Sequence, residues 1–290
     1  MGRQRPLVSV GMPVYNEQRY IGAALRCILS QTFEDFELII GDNASTDGTR
    51  EICQAVEAGD PRVKYHRHDS NIGSIANFNR VFELARGEYF VWASGHDLRS
   101  EHFLARSVEV LEGDRSVVLT YPRARWIEAD GTESRLIGGC VETRGLDRVS
   151  AAHVVLWGLA YAYPIYGLMR ADALRRTSVM RNVVGPDIVL LLELSLLGAF
   201  AQIAEPLLCM RKLDDYGSWK AYLRKSFGPS RPRRAAFGLS AGWIHEQLAV
   251  ALRRELTVVE KTALLVSILL CMATKYRFVL TGLRGSRDAA

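Results

Sequence analysis

Tyr89-Phe90-Val91-Trp92-Ala93-Ser94-Gly95-His96-Asp97-Leu98 is an apolar run that stops abruptly in a polar cluster. The apolar part has the length and aromatic content of a buried strand. A strand running into Gly, His and Asp marks the carboxyl edge of an α/β sheet, where such proteins bind ligands. A carboxylate and an imidazole at that edge can hold a divalent cation. The same letters can also be a turn with an N-cap for the next helix. The residues preceding the stretch bear on that choice.

Leu7-Val8-Ser9-Val10-Gly11-Met12-Pro13-Val14 reads as a first buried strand, followed by a helix over 17–30 that Asn16 could cap. Phe36-Glu37-Leu38-Ile39-Ile40-Gly41 reads as a second strand, ending in the polar loop Asp42-Asn43-Ala44-Ser45-Thr46-Asp47-Gly48-Thr49 and a helix to about residue 58. Val63-Lys64-Tyr65-His66 is a third strand, and 74–86 a helix closed by Gly87. The opening stretch is then the fourth strand. Strands alternating with helices in this way predict a doubly wound, mainly parallel sheet flanked by helices. The crossover rule brings Tyr15-Asn16-Glu17, Asp42-Asn43, Asp69 to Asn71, and His96-Asp97 to one edge. The rival reading is four unrelated solvated loops.

Beyond the fourth strand the pattern predicts a helix over 101–112, a strand over 117–121, a hairpin turn at Asp130-Gly131, and an irregular 136–148. Pro164-Ile165-Tyr166-Gly167-Leu168-Met169 reads as a strand leading into a short helix over 171–177. Gly185-Pro186-Asp187 opens an apolar helix over 188–197, and 200–204 and 207–210 read as two short strands. Helices over 219–227, 236–256 and 259–280 follow, the first ended by Gly228-Pro229-Ser230-Arg231-Pro232. This divides the chain into a segment 1–215 that carries the site and a helical tail over 216–290.

Composition excludes several classes. The chain has 290 residues, 48% hydrophobic and 24% charged, so a packed core is expected rather than disorder. Five scattered cysteines without a CxxC pair suggest neither a zinc knuckle nor a disulfide framework, and a reducing cytosol is expected. No signal peptide is read at the N-terminus, and the apolar run 262–274 is shorter than the ~20 residues that span a bilayer. No GxGxxG or Walker lysine loop is present, so a bound nucleotide would be held in another way. The net charge of +5 is uneven: residues 219–290 hold 13 Lys/Arg against 4 Asp/Glu, and the rest of the chain is net acidic. Lys220, Arg224, Lys225, Arg231, Arg233 and Arg234 interleave with Trp219, Tyr222 and Phe227. This suits an anionic membrane surface, with packing on the main domain or a homodimer interface as alternatives. No nucleic-acid-binding motif accompanies the basic stretch, and no nucleic acid partner is expected.

The ordered series Pro13-Val14-Tyr15-Asn16-Glu17, Asp42 to Thr49, Asn71-Ile72-Gly73, Arg86-Gly87-Glu88-Tyr89, Trp92 to Asp97, Pro164 to Leu168 and Gly185-Pro186-Asp187 resembles the family 2 glycosyltransferases. The resemblance covers about residues 6–215. It implies a GT-A fold and an inverting transfer from a nucleoside-diphosphate sugar to a glycan, lipid-linked or small-molecule acceptor. The cysteines suggest a cytoplasmic location, and the basic tail a peripheral one at the inner face of the membrane. It also implies roles. Pro13, Tyr15 and Glu17 would hold the nucleotide, Asp42 the base, and Asn71 the base and ribose. Asp97 would bind a divalent cation, Mn2+ or Mg2+, that bridges the diphosphate. Asp187 would be the general base, with Glu193 as the runner-up base but more suited to a buried structural role.

One departure stands out. The family's acidic motif usually has two or three carboxylates, whereas Ser94-Gly95-His96-Asp97 has one. His96 would then assist as a ligand or bond the donor. Asp214 could supply the missing charge, and Arg211 could neutralise phosphate. The thinned motif also leaves open a non-catalytic nucleotide-sugar-binding or scaffold protein. A nucleotidyltransferase would need a glycine-rich basic loop after the first strand, which Pro13 to Glu17 does not resemble.

Overall fold

The computed structural model describes residues 5–213 and 233–275. Its sheet has nine strands in the order β3 (Val63–Arg67), β2 (Phe36–Asp42), β1 (Val8–Val14), β4 (Tyr89–Trp92), β8 (Leu168–Arg170), β6 (Val117–Ile127), β9 (Ala199–Arg211) and β5 (Leu98–Arg99), with β7 (Glu133–Leu136) paired to β6. The first half is β1 (Val8–Val14), β2 (Phe36–Asp42), β3 (Val63–Arg67) and β4 (Tyr89–Trp92), all parallel where they pair. The parallel register sets Val14 beside Asp42, and Asp42 beside Arg67. The polar strand ends therefore converge on one edge, as expected.

Alternate residues of these strands enter two cores, because side chains alternate across a sheet. Val8, Val10, Met12, Leu38, Ile40 and Val91 pack on one face with Ile21, Leu25 and Ile28 of α1 (Ile21–Leu29), Cys53 of α2 (Thr49–Gly59) and Phe103 and Leu104 of α4 (Phe103–Gly113). Ile39, Phe90 and Trp92 pack on the other face with Val81 and Phe82 of α3 (Ser74–Glu83). Gly11 lets α3 approach closely: a Cβ there would stand 2.7 Å from the Phe90 ring and 2.8 Å from Val81. Arg86, in one of the motifs that carry the resemblance, forks onto the buried Glu37 at 2.6 and 3.0 Å.

The second half is mixed. β8 (Leu168–Arg170) is antiparallel to both β4 and β6 (Val117–Ile127), while β9 (Ala199–Arg211) runs parallel to β6. β7 (Glu133–Leu136) returns from β6 through the expected turn, where Gly131 has φ 93°. The two short strands expected over 200–210 are one continuous strand with irregular register against β6. Pro164 stands in a 3-10 turn, Tyr163–Tyr166, rather than a strand, since it has no N–H for a ladder. Two elements are unanticipated: the short β5 (Leu98–Arg99), antiparallel to β9, and the helix α5 (Arg148–Gly158). Asn16 does not cap α1, which begins at Ile21; it sits at φ 55° and accepts the Thr46 amide at 2.8 Å.

After β8 come α6 (Ala171–Arg175) and α7 (Pro186–Ser195), and in the tail α8 (Arg233–Ala251) and α9 (Val258–Thr274). The tail helices share a core with α5 and α7: Trp243, Val250, Leu264, Ile268 and Met272 pack on Ala152, Leu156, Val189 and Leu192. Polar ties reinforce the contact. Arg148 forks onto Glu260 with both bonds at 2.6 Å, and Lys275 Nζ donates to the Leu156, Trp157 and Leu159 carbonyls at 3.0, 3.1 and 2.5 Å. A cation there suits the end of α5, where carbonyls lack intrahelical donors. Over the described residues the tail thus packs on segment 1–215. The expected helix over 219–227, with its basic residues, lies outside the described residues.

Candidate active site

The loops after β1 and β2 are knitted together. The amides of Asn16, Glu17 and Gln18 donate to Ser45 Oγ at 3.0 Å, Thr49 Oγ1 at 2.9 Å and Asp47 Oδ2 at 3.1 Å. In return the Gly48 amide donates to Gln18 Oε1 at 2.9 Å. Short polar side chains in this loop satisfy backbone groups that have left the sheet. Pro13 is half-buried, while Tyr15 is 45% exposed at the edge.

Asp42 is wholly buried, and its oxygens are engaged within the protein. The Ser45 amide donates to Oδ1 at 2.9 Å, the Tyr65 hydroxyl donates to Oδ2 at 2.5 Å, and Arg67 Nε lies 3.5 Å away. Its neighbour Asn43 was not singled out from the sequence, yet it links the loops after β2 and β3. Asn43 Nδ2 donates to Asn71 Oδ1 at 2.9 Å, and Asn43 Oδ1 accepts the Ile72 amide at 2.8 Å. Asn71 Oδ1 also accepts the Gly73 amide at 2.9 Å, which shapes the turn into α3. The signal for Asn43 was its place beside Asp42 at the end of a buried strand.

The stretch after β4 joins three other elements. His96 Nδ1 lies 2.9 Å from Glu17 Oε1, and both side chains are nearly covered. With the ring proton on Nδ1, Nε2 keeps its lone pair for a ligand. Asp97 is buried, and its Oδ1 accepts the backbone amide of Arg211 at 2.8 Å. No hydrogen bond to Asp97 Oδ2 is formed among the described residues.

Arg211 ends β9 and is itself buried. Its Nε donates to the His96 carbonyl at 2.9 Å, and its Nη1 to the Glu128 and Ala129 carbonyls at 2.9 and 3.0 Å. The guanidinium lies over the Tyr20 ring, 4.6 Å from the centroid. These contacts hold the loop that carries His96 and Asp97 against the β6–β7 hairpin. Asp214 lies outside the described residues.

A divalent cation fits the donors present, provided substrate completes its shell. Asp97 offers a hard carboxylate oxygen and His96 an imidazole, a pair that suits Mn2+ better than Mg2+. Among the described residues no group of three or more His, Cys, Asp or Glu is placed to hold a metal ion alone. Such a sparse set is usual where substrate phosphates and water supply the remaining ligands.

Asp187 shares no hydrogen bond with the His96–Asp97 group among the described residues. It lies in the first turn of α7, behind Gly185, which takes the left-handed conformation at φ 59° and Pro186 at the first helical position. That φ favours glycine and turns the chain sharply into the helix. The half-buried carboxylate accepts its neighbour Ile188's amide at 2.9 Å. The sequence suggests a helix terminus that keeps Asp187 ionised with low basicity. The balance goes the other way: loss of hydration outweighs the backbone hydrogen bonds and raises its pKa to about 6. Glu193 has the structural role expected of it, accepting the Ser178 amide at 2.7 Å and hydroxyl at 2.9 Å and pairing with Arg253.

The family model described as "Glycosyl transferase family 2" matches residues 9–177. The putative teichuronic acid biosynthesis glycosyltransferase TuaG of Bacillus subtilis (strain 168) is 33% identical over 132 residues, 46% of this chain and 52% of that protein. The glycosyltransferase GlyG of Streptococcus pneumoniae serotype 4 is 26% identical over 172 residues, 57% of each chain. The chain spans about half the length of these relatives. Among solved structures, S. aureus TarS 1-349 in complex with UDP-GlcNAc superposes with a TM-score of 0.70 at 14% identity, covering 91% of this chain and 72% of that one. The mannosyltransferase PcManGT from Pyrobaculum calidifontis, in complex with GDP-Man and Mn2+, gives 0.56 at 17% identity, covering 98% and 77%. At these identities the likeness establishes the GT-A fold.

Proposed function

Since the chain belongs to glycosyl transferase family 2, we propose that it transfers a sugar from a nucleoside-diphosphate donor to an acceptor hydroxyl with inversion at the anomeric carbon. The observation that carries this reading is the cluster at the carboxyl edge of the sheet, where Glu17, His96, Asp97 and Arg211 are joined by hydrogen bonds. The UDP-GlcNAc and GDP-Man in the two structural neighbours support a nucleotide-sugar donor.

In this reading Pro13, Tyr15 and Glu17 border the nucleotide, and the Asp42–Asn43–Asn71 network shapes the base and ribose subsite. Asp42 then acts largely by holding its loop, since its oxygens already serve Ser45, Tyr65 and Arg67. Asp97 and His96 would hold the cation, which when bound would supply positive charge to the departing diphosphate. Asp214 is retained as a candidate third ligand, and Arg211 as the residue that sets their loop. Asp187 takes the acceptor's proton as that oxygen bonds the anomeric carbon. The bond to the diphosphate breaks, and its electron pair leaves with the phosphate. A carboxyl with a pKa of about 6 is ionised at neutral pH yet more basic than an exposed aspartate, which suits a general base.

Thermal shift against a panel of nucleotide sugars, with and without Mn2+, tests the donor and the metal together. One donor should stabilise the protein only when metal is present. Asp187→Asn should then keep nucleotide binding and lose turnover, and Asp97→Asn should lose metal-dependent binding. A wild type that binds nucleotide sugar but never turns over with glycan, lipid-linked or small acceptors would instead be a binding or scaffold protein.

A further inference from the structure

Helix α9 is apolar on two opposite faces. One face, with Leu264, Ile268 and Met272, is buried against α5 and α8. The other presents Val259, Val266, Leu269 and Leu270 to solvent, with exposures of 78%, 51%, 54% and 54%. Thr262, Ala263 and Ala273 fill the positions between them and are also exposed. These residues recur at three- and four-residue spacing, so they form one stripe along the helix. Val258, at 79%, and Leu252, at 57%, extend the apolar surface at its start. No charged side chain interrupts the stripe, because Glu260 turns away to pair with Arg148. A helix apolar all round is normally covered all round, and an exposed apolar stripe marks an interaction surface.

We propose that the exposed face of α9 docks on an anionic lipid surface, lying in its interface without crossing it. Charge selects this occupant. Residues 219–290 carry 13 Lys/Arg against 4 Asp/Glu. Of those acids, Glu246 and Glu260 are turned inward to Arg181 at 3.4 Å and Arg148 at 2.6 Å. Pairing of Arg253 with Glu193 likewise takes up one tail cation, so a large basic surplus remains beside the apolar stripe, the combination that favours acidic headgroups over neutral ones. Among the described residues no helix is long and apolar enough to cross a membrane. The proposal goes beyond the transfer reaction and stands whether or not Asp187 is its base.

Co-sedimentation of the full chain with vesicles tests this surface. Vesicles of phosphatidylglycerol and phosphatidylcholine should carry the protein down, and phosphatidylcholine alone should do so at least tenfold less well. Leu269→Asp with Leu270→Asp should cut partitioning at least tenfold at unchanged circular dichroism and melting temperature. Val259→Asp, at the other end of the stripe, should weaken it independently. Failure of the wild type to partition, equal partitioning on neutral vesicles, or full binding by the folded variants overturns the proposal. So does a concentration-dependent dimer that the double substitution dissociates without any vesicle binding, which would assign the face to a second copy.

Discussion

His96 Nδ1 lies 2.9 Å from Glu17 Oε1, joining the loop after the fourth strand to the loop after the first. A carboxylate at that distance orients the ring and, with the ring proton on Nδ1, would leave Nε2 as a lone pair for the proposed cation. Removing such an orienting partner typically weakens a metal site about 10- to 100-fold. Glu17→Ala is therefore expected to lower Mn2+ affinity by about that factor. Titration of Mn2+ followed by electron paramagnetic resonance, in the presence of the donor nucleotide, measures it. Unchanged affinity would remove His96 from the metal site.

With Asp187 as the proposed general base, turnover should have an acid limit. Its pKa of about 6 lies above the ordinary value of 3.8, so the carboxyl is protonated below that pH. The rate should rise as pH increases through about 6 and then level off. The same shift opposes folding. A carboxyl with a raised folded pKa binds its proton more tightly in the native state, so stability falls as pH rises from the unfolded pKa toward the folded one. Asp187→Asn should therefore lose turnover while stabilising the fold by about 1–3 kcal/mol at pH 8. Denaturant melts at pH 4 and pH 8 check the second effect, which should shrink at the lower pH.

Arg253 and Glu193 tie the tail to α7. Glu193 is 3% exposed, and loss of its cation leaves a buried carboxylate with only the Ser178 bonds. Arg253→Ala should destabilise the protein by about 2–4 kcal/mol. Adding Glu193→Gln should recover part of that loss, because a neutral amide costs less to bury. Urea unfolding of the two single variants and the double variant forms the cycle.

Arg211 should not tolerate lysine. Its fork reaches the His96, Glu128 and Ala129 carbonyls while its plane lies over Tyr20, and an ammonium cannot reproduce that geometry. Arg211→Lys is expected to raise the KM for the donor more than it lowers kcat, since the loop carrying His96 and Asp97 loosens. Steady-state kinetics at saturating acceptor separate the two. An unchanged KM would show that β9 positions the loop through its backbone alone.

The parallel half of the sheet was legible because its signals are local. Continuous apolar runs over 7–14 and 36–41, buried on both faces, together with helices between the strands, leave few topologies open. The placement of Glu17, Asp42, Asn71 and His96 at one edge follows from that topology. β5 was not legible, because two residues carry no periodicity and their pairing to β9 is set by a strand far away in sequence. The bonds from Arg211 to the His96, Glu128 and Ala129 carbonyls were not legible either, since a sequence records its charge but not the carbonyls that surround it.

The sequence by itself determined the family, the order of the polar strand ends and the loss of a carboxylate at His96. These depend on residue identity and chain order. The tertiary structure alone decided that Glu17 orients His96, that Arg211 buttresses the loop, that burial raises the pKa of Asp187, and that the described tail helices pack on the main domain with one apolar face of α9 exposed. Hydration and the direction of a side chain depend on neighbours that only folding brings together.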